Sequence, residues 1–121
     1  MRGIRGAITV KENKRSDILN STRKLLKKII SNNDINKGEI VSIIFTATRD
    51  LDKVYPAVAA REMGLTDIPL MCYQELNVEG SLKKCIRIMV YINRDCNPDK
   101  LQHIYLRRAR ELRPDLADNM R

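Results

Sequence analysis

An alternating segment at residues 85–93 constrains the fold more than any other feature of this chain. Its apolar positions are Ile86, Ile88, Val90 and Ile92, and the positions between them are Cys85, Arg87, Met89 and Tyr91. Successive side chains of a strand point to opposite faces, so the pattern predicts a β-strand with one apolar face. A sheet that contains such a strand needs other elements packed on that face.

Shorter patterns predict the other strands. Residues 4–10 alternate between the two faces in the same way, which predicts a first strand. The β-branched, nearly continuous run from Ile40 to Thr48 predicts a central strand covered on both faces. A third strand is expected over Pro69–Glu75. Residues 103–112 fit both a helical and an alternating pattern, and periodicity alone leaves that segment open.

Two helices are predicted between the strands. Ser16 or Asp17 is expected to cap a long helix, which has an apolar stripe at three-and-four spacing. The stripe consists of Ile18, Leu19, Thr22, Leu25, Leu26, Ile29 and Ile30. A short helix is expected from Tyr55-Pro56 to just before Gly64, and a helical turn at Pro98. The order of elements predicts an α+β or α/β sheet with its helices on one face.

Length and composition indicate one domain over residues 1–121. The longest apolar-rich run, Ile40 to Ala47, is far below the ~20 residues that span a bilayer, and no signal peptide is recognisable. We therefore expect a soluble, cytoplasmic protein. The formal net charge is +8, which indicates an anionic partner. That partner is either a nucleic acid on the Lys/Arg face of the long helix or a small anionic substrate.

Several kinds of chemistry have no support in the sequence. Cys72, Cys85 and Cys96 are spaced by 13 and 11 residues, unlike a zinc pattern, and His103 is the only histidine. The five glycines do not form a phosphate-binding loop. We therefore expect neither a metal nor a cofactor, and we interpret the cysteines as reduced thiols.

Charged residues at strand positions are the candidates for a site. Arg87 lies in mid-strand, where its guanidinium either forms a structural salt bridge or faces an anionic ligand. Arg5 repeats this pattern, and Arg61 and Arg113 could converge on the same ligand. Glu75 is either a partner for Arg87 or an acceptor for a substrate hydroxyl. Any catalysis would then depend on orientation and fixed charge.

Seven short strings, taken together, resemble those of a known family. They are residues 2–7 (RGIRGA), 46–51 (TATRDL), 55–57 (YPA), 72–75 (CYQE), 82–87 (LKKCIR), 103–106 (HIYL) and 112–116 (LRPDL). In this order and spacing they resemble the monofunctional chorismate mutases of the AroH class. The resemblance runs from Met1 to about Leu116.

The resemblance implies a fold and an activity. The fold is a mixed five-stranded sheet with one long and one short helix on one face. Three chains form a pseudo-α/β barrel with an active site at each subunit interface. This favours a strand around Tyr105. The activity is the rearrangement of chorismate to prephenate in the shikimate route to Phe and Tyr. The reaction is pericyclic and needs no nucleophile, proton shuttle or cofactor.

The resemblance also implies roles for individual residues. Arg87 would meet the negative charge that develops on the ether oxygen, Glu75 would hold the ring hydroxyl, and Arg5 would hold a carboxylate. The implied substrate contacts are Tyr105, Cys72, Tyr55, Ala57, Arg61, Leu112 and Arg113. The sequence departs from the family at the pocket rim, where Tyr55 replaces a common Phe, Val58 a common Lys and Met71 a Thr.

Two other functions remain as alternatives on sequence grounds. One is a basic nucleic-acid-binding module. The other is a trimer of similar architecture that processes small imines or binds metabolites without catalysis.

Overall fold

A computed structural model describes residues 1–117, in which five strands form one mixed sheet. The strands are β1 (Arg2–Thr9), β2 (Ile40–Ala47), β3 (Leu70–Gln74), β4 (Cys85–Ile92) and β5 (Ile104–Leu106). Their order across the sheet is β3-β2-β4-β1-β5. The central strand β4 is antiparallel to β1 and β2, whereas β1–β5 and β2–β3 are parallel pairs. The predicted α+β fold with a mixed five-stranded sheet is confirmed. The last four residues of the predicted single domain lie outside the described residues.

Two helices cover one face of this sheet. They are α1 (Arg15–Asn32) and α2 (Ala57–Glu62), and a third, α3 (Pro114–Ala117), follows near the end of the described chain. The apolar stripe of α1 is buried as predicted, except that Ile30 is only partly buried. The prediction for the start of α1 was wrong. The helix begins at Arg15 after Lys14 as N-cap, without a side-chain capping bond.

The main core lies between the sheet and these two helices. The largest side chains with almost no exposed surface are Phe45, Ile4, Ile8, Ile18, Leu25, Leu26, Ile29, Ile43, Ile86, Ile92, Ile104 and Val90. The close approach of α1 requires a glycine at position 6. A Cβ there would lie 2.6 Å from Ile29 Cδ1 and 3.2 Å from the Ile104 carbonyl oxygen. No helix within residues 1–117 is long and apolar enough to cross a membrane.

The other face of the sheet is only partly covered in this single chain. Ile40, Ile43 and Phe45 of β2 are buried against the helices, but Val41 is 38% exposed and Ile44 is half-buried. The prediction that β2 is covered on both faces is therefore wrong for the single chain, because α1 and α2 both pack on the same side. We call the side away from these helices the open face.

A short C-terminal segment packs on one part of the open face. Residues 103–112, which the sequence left open, contain both structures in succession: β5 and then a 3-10 helix at Arg107–Glu111. The switch occurs at Arg107, whose φ is +54°. This segment buries Tyr105 and Ala109 together with Ala7 and Cys85 in a second, small core. The strand that the resemblance favours around Tyr105 is confirmed.

Candidate active site

One row of side chains crosses the open face from edge to edge. The strand registers pair Tyr105 with Ala7, Ala7 with Arg87, Arg87 with Thr46, and Thr46 with Tyr73. Neighbouring strands are ~4.8 Å apart, so Tyr105 and Arg87 lie about 10 Å from each other along this row. Ala7 of β1 lies between them in the row.

Arg87 and Glu75 form an ion pair in this row. The Arg87 Nε lies 3.6 Å from Glu75 Oε1, and the two side chains are 49% and 23% exposed. The same Oε1 accepts a hydrogen bond from the Thr46 hydroxyl. The Glu75 backbone N–H donates to the Ala47 carbonyl at 2.9 Å, which fixes the residue just beyond β3. The structure is therefore compatible with both interpretations of Arg87. It forms a salt bridge with Glu75, and its half-exposed guanidinium can also face an anionic ligand.

A cleft of about 890 Å³ opens beside this pair. We call it the Arg87 cleft. Its walls are the turn after β2, the loop at residues 75–83, the start of β4 and the C-terminal segment. Leu112, which the sequence placed in the substrate site, is one of its lining residues. The cleft is large enough for a ligand of about the size of a substituted six-membered ring.

Arg5 and Tyr105 lie on the same face, next to a partly buried hydrogen bond. The backbone N–H of Arg5 donates to His103 Nδ1 at 2.9 Å, which joins β1 to the residue before β5. Tyr105 is only 5% exposed, beneath the C-terminal segment. Arg113 forms hydrogen bonds to Asp115, with Nη2 at 2.9 Å from Oδ2. The resemblance implies that Arg113 contacts the substrate, but in this structure its guanidinium is bound to the Asp115 carboxylate, which would compete with a ligand for it.

The His103 hydrogen bond predicts a pH dependence of stability. Burial, and then the charges of Arg5 and Arg113, lower the pKa of His103. The folded state therefore binds a proton on this ring less readily than the unfolded chain, in which the ordinary histidine pKa is ~6.5, so stability falls as the pH decreases through that range. We expect the free energy of unfolding to decrease more between pH 7.5 and pH 5.5 in the wild type than in His103→Asn, which keeps an acceptor but does not titrate. Urea titrations measure both, and parallel pH profiles would contradict the assignment.

The other predicted contacts lie on the helix side of the sheet. Cys72 pairs in register with the buried Phe45, and it contacts the main core. Burial raises the pKa of its thiol, while the backbone N–H of Ala57 and the charge of Arg61 act in the opposite direction. Tyr55 is 71% exposed. A second cleft of about 630 Å³, which we call the Tyr55 cleft, has both Tyr55 and Cys72 in its lining.

The ten predicted site residues therefore form two separate groups within one chain. The open-face group consists of Arg5, Glu75, Arg87, Tyr105, Leu112 and Arg113. The helix-side group consists of Tyr55, Ala57, Arg61 and Cys72. Cys72 of β3 and Arg87 of β4 lie on opposite faces of the sheet, because Cys72 pairs with Phe45 and Arg87 pairs with Thr46. The sequence could not show this division, because it predicts alternation along a strand but not how strands stack.

Burial makes the thiols of Cys72 and Cys85 poorly suited to nucleophilic catalysis. Burial raises the pKa of Cys85 to about 11, so this thiol is protonated at neutral pH. Cys72, Cys85 and Cys96 are all free thiols, as interpreted from the sequence. No group of three or more His, Cys, Asp or Glu side chains within residues 1–117 is arranged to hold a metal ion.

Sequence reasoning missed the residues that hold the site in place. Thr46, Thr48 and Asp50 belong to a recognised string, but the sequence assigns them no role. Thr48 Oγ1 accepts the Cys85 backbone N–H at 3.0 Å, and Asp50 Oδ2 accepts that of Lys84 at 3.0 Å. These bonds fix the beginning of β4, two residues before Arg87. The one sequence signal for this role is that Thr48 and Asp50, two residues apart, both have short side chains that can accept hydrogen bonds from backbone N–H groups.

The fold and the open-face group define a class of protein. A mixed sheet presents the strand-borne Arg87 and the Glu75 carboxylate at a cleft, and the Cys85 thiol there is protonated at neutral pH. These features are typical of a site that holds a small ligand and acts on it by orientation and fixed charge.

Comparison with known proteins identifies the family within this class. A profile of the family described as chorismate mutase type I matches residues 1–116. The chain is 44% identical over 118 residues to chorismate mutase AroH of Bacillus subtilis, covering 97% of this chain and 93% of that protein. It is 45% identical over 117 residues to chorismate mutase AroH of Thermus thermophilus, covering 96% of each. The chain belongs to the type I chorismate mutases.

A solved structure agrees with this assignment. The fold matches that of a chorismate mutase from Clostridium thermocellum with a TM-score of 0.90 and 46% sequence identity. The match covers 92% of this chain and 99% of that one. The resemblance stated from the sequence strings is thus confirmed.

Proposed function

We propose that this chain is a chorismate mutase in which Arg87 supplies the charge that stabilises the transition state. Chorismate carries two carboxylates, and its rearrangement breaks one C–O bond while it forms a C–C bond. Negative charge develops on the ether oxygen as the C–O bond breaks. The half-exposed Arg87 guanidinium at the edge of its cleft is the observation that carries this assignment. A fixed cation at that point stabilises the transition state more than the ground state.

The other open-face residues bind and orient the substrate. In this proposal Arg5 and Tyr105 hold a carboxylate and keep the substrate in the compact conformer that reacts. Glu75 accepts a hydrogen bond from the ring hydroxyl. The reaction is unimolecular, so holding this conformer lowers the entropic part of the barrier. Neither a cofactor nor a proton transfer from the protein is required.

The helix-side group completes the site from a neighbouring subunit in a homotrimer. Within one chain the lining of the Arg87 cleft includes none of Tyr55, Ala57, Arg61 and Cys72, and both Ala57 and Cys72 pack against the main core. An interface that seats the Tyr55 cleft of one chain against the Arg87 cleft of the next would join the two groups. Closed rings of identical chains use such head-to-tail contacts.

Exposed apolar side chains on the open face support this assembly. Met71 and Tyr73 of the edge strand β3 are 55% and 50% exposed, and Val41 is 38% exposed. Ile44, Met89 and Tyr91 beside them are half-buried. A patch of this kind favours a protein interface, and burial there would also cover the second face of β2.

We further propose that the chain forms a single domain and works in the cytoplasm.

One assay tests the activity directly. Purified protein mixed with chorismate should remove the ultraviolet absorbance of chorismate and form prephenate at a rate proportional to enzyme concentration. A solution mass of three chains is expected at the same concentration. Absence of conversion by the trimeric wild type would refute the proposed activity.

Mixing two inactive variants tests the shared site. Arg87→Ala removes a charge from the open-face group, and Arg61→Ala removes a charge from the helix-side group. If each site takes one group from each of two chains, reassembly of an equal mixture leaves about one site in four with both groups intact. We expect activity to reappear on mixing after mild dissociation. No recovery in reassembled trimers would show that each site belongs to one chain.

A further inference from the structure

We propose that Thr46 is a positioning residue that holds the Glu75 carboxylate away from a hydrogen bond with Arg87. The proposal rests on the proposed function, because it concerns how Arg87 keeps its charge available to the substrate. Arg87 and Glu75 are a cation and an anion on one sheet face, and nothing in their chemistry alone prevents them from closing into a tight pair.

The observed geometry is that of a charge pair without a hydrogen bond. A hydrogen-bonded N–H···O pair between charged groups has a separation of ~2.7–2.9 Å, whereas Arg87 Nε and Glu75 Oε1 are 3.6 Å apart. The Thr46 hydroxyl donates to that same Oε1. This bond uses one lone pair of Oε1, so Thr46 acts by fixing the direction of the carboxylate relative to Arg87.

Thr46 is fixed well enough to do this. It lies directly opposite Arg87 in the β2–β4 register, so its side chain stands beside that of Arg87 on the open face. Its branched Cβ restricts χ1, which fixes the hydroxyl direction. The backbone of Glu75 is also fixed, since its N–H donates to the carbonyl of Ala47, the next residue after Thr46.

Loss of the hydroxyl would change the charge that the substrate meets. A released Glu75 carboxylate can move toward Arg87 and form a direct, charge-assisted hydrogen bond. The guanidinium would then be partly neutralised, and at least one of its N–H donors would no longer be available to the ether oxygen. The carboxylate would also leave the position in which it accepts the ring hydroxyl. Both changes act on the transition state, so kcat should fall more than KM rises.

Thr46→Val tests the hydroxyl because it keeps the branched shape. We expect kcat to decrease roughly 10- to 100-fold, the scale of a displaced catalytic group, and Thr46→Ser to restore most of it. Thr22→Val is a matched control: it removes a buried hydroxyl that donates to the Ile18 carbonyl in α1. A kcat for Thr46→Val within twofold of the control would overturn the proposal.

A double-mutant cycle separates positioning from a general loss of structure. Glu75→Gln removes the charge that draws residue 75 toward Arg87, so Thr46→Val should change kcat much less in that background. Equal fold-changes in both backgrounds would contradict the proposal. A crystal structure of Thr46→Val adds a readout independent of activity. It should show Glu75 within ~3.2 Å of an Arg87 nitrogen, and an unchanged 3.6 Å separation would count against the proposal.

The wild type separates this proposal from the activity itself. If the wild type fails to convert chorismate, the proposed function is refuted and this inference with it. If the wild type converts chorismate while Thr46→Val keeps its full kcat, only the role of Thr46 is refuted.

Discussion

Replacement of Arg87 by Ala is expected to lower kcat for chorismate by at least ~10²–10³-fold, the cost of removing one donor to a developing oxyanion. The guanidinium lies at a cleft with a half-exposed side chain, so it can reach a ligand without a change in the sheet. KM should change less, because in the proposed site Arg5 and Tyr105 hold the carboxylates of the substrate. Steady-state rates from the chorismate absorbance measure both parameters.

Two further variants separate the effect of the Arg87 charge from the effects of its shape and of folding. Citrulline at position 87 keeps the shape, the Nε–H and one terminal NH2, but it has a carbonyl oxygen in place of the other NH2 and lacks the charge, so it should be nearly as inactive as Arg87→Ala. Arg23→Ala is the matched control, since Arg23 forms a half-exposed ion pair with Glu62 on the helix side. A citrulline enzyme with near-normal kcat would show that hydrogen bonding, and not charge, carries the effect. An inactive Arg23→Ala would point to a general loss of folding.

Alternation along strands made the sheet predictable. Successive residues of a strand point to opposite faces, and burial in β4 alternates from Ile86 to Ile92. Cys85 is the exception, since it lies on the open face but is buried in the second core. The stripe of α1 was predictable for the same reason, with a period of 3.6 residues. The start of α1 was not. Ser16 and Asp17 favour an N-cap by their chemistry, but the helix begins earlier and uses neither for a capping bond.

The C-terminal segment could not be predicted from periodicity because a tertiary contact decides it. Arg107 adopts a left-handed φ of +54° just where β5 ends. Its Nη1 donates to the Thr9 carbonyl and to the Ser21 hydroxyl, both at 2.9 Å. Both partners are distant from Arg107 in the sequence. These bonds stabilise a conformation that is unfavourable for a non-glycine residue. Local sequence carries no sign of them.

The site was predictable in its charged residues and not in its architecture. Arg87 and Glu75 are recognisable because charged side chains within strands are rare without a partner or a ligand. Cys72 gave no such signal. It was expected in the same pocket, yet the register of β2 and β3 places it on the other side of the sheet from Arg87. Only the registers distinguish the two faces, and they depend on contacts between strands far apart in sequence.

Truncation of Phe45 is expected to cause the largest loss of stability. Phe45 has no exposed surface and is the largest fully buried side chain of the described core. Phe45→Ala should lower the free energy of unfolding by about 3–5 kcal/mol, because it removes buried apolar surface and leaves a cavity. A domain of this size has only ~5–15 kcal/mol in total. Urea or thermal unfolding, at one protomer concentration for all variants, measures the change.

The position of Phe45 links this loss to the active site. Phe45 points toward the helices while the next residue, Thr46, points to the open face, so a cavity on one side of β2 loosens the strand that holds Glu75 on the other. Phe45→Leu leaves a smaller cavity and should lose less stability, and it keeps the test informative if Phe45→Ala fails to fold. If neither variant lowers the free energy of unfolding by more than ~1 kcal/mol, then Phe45 does not form the centre of the core as its burial indicates.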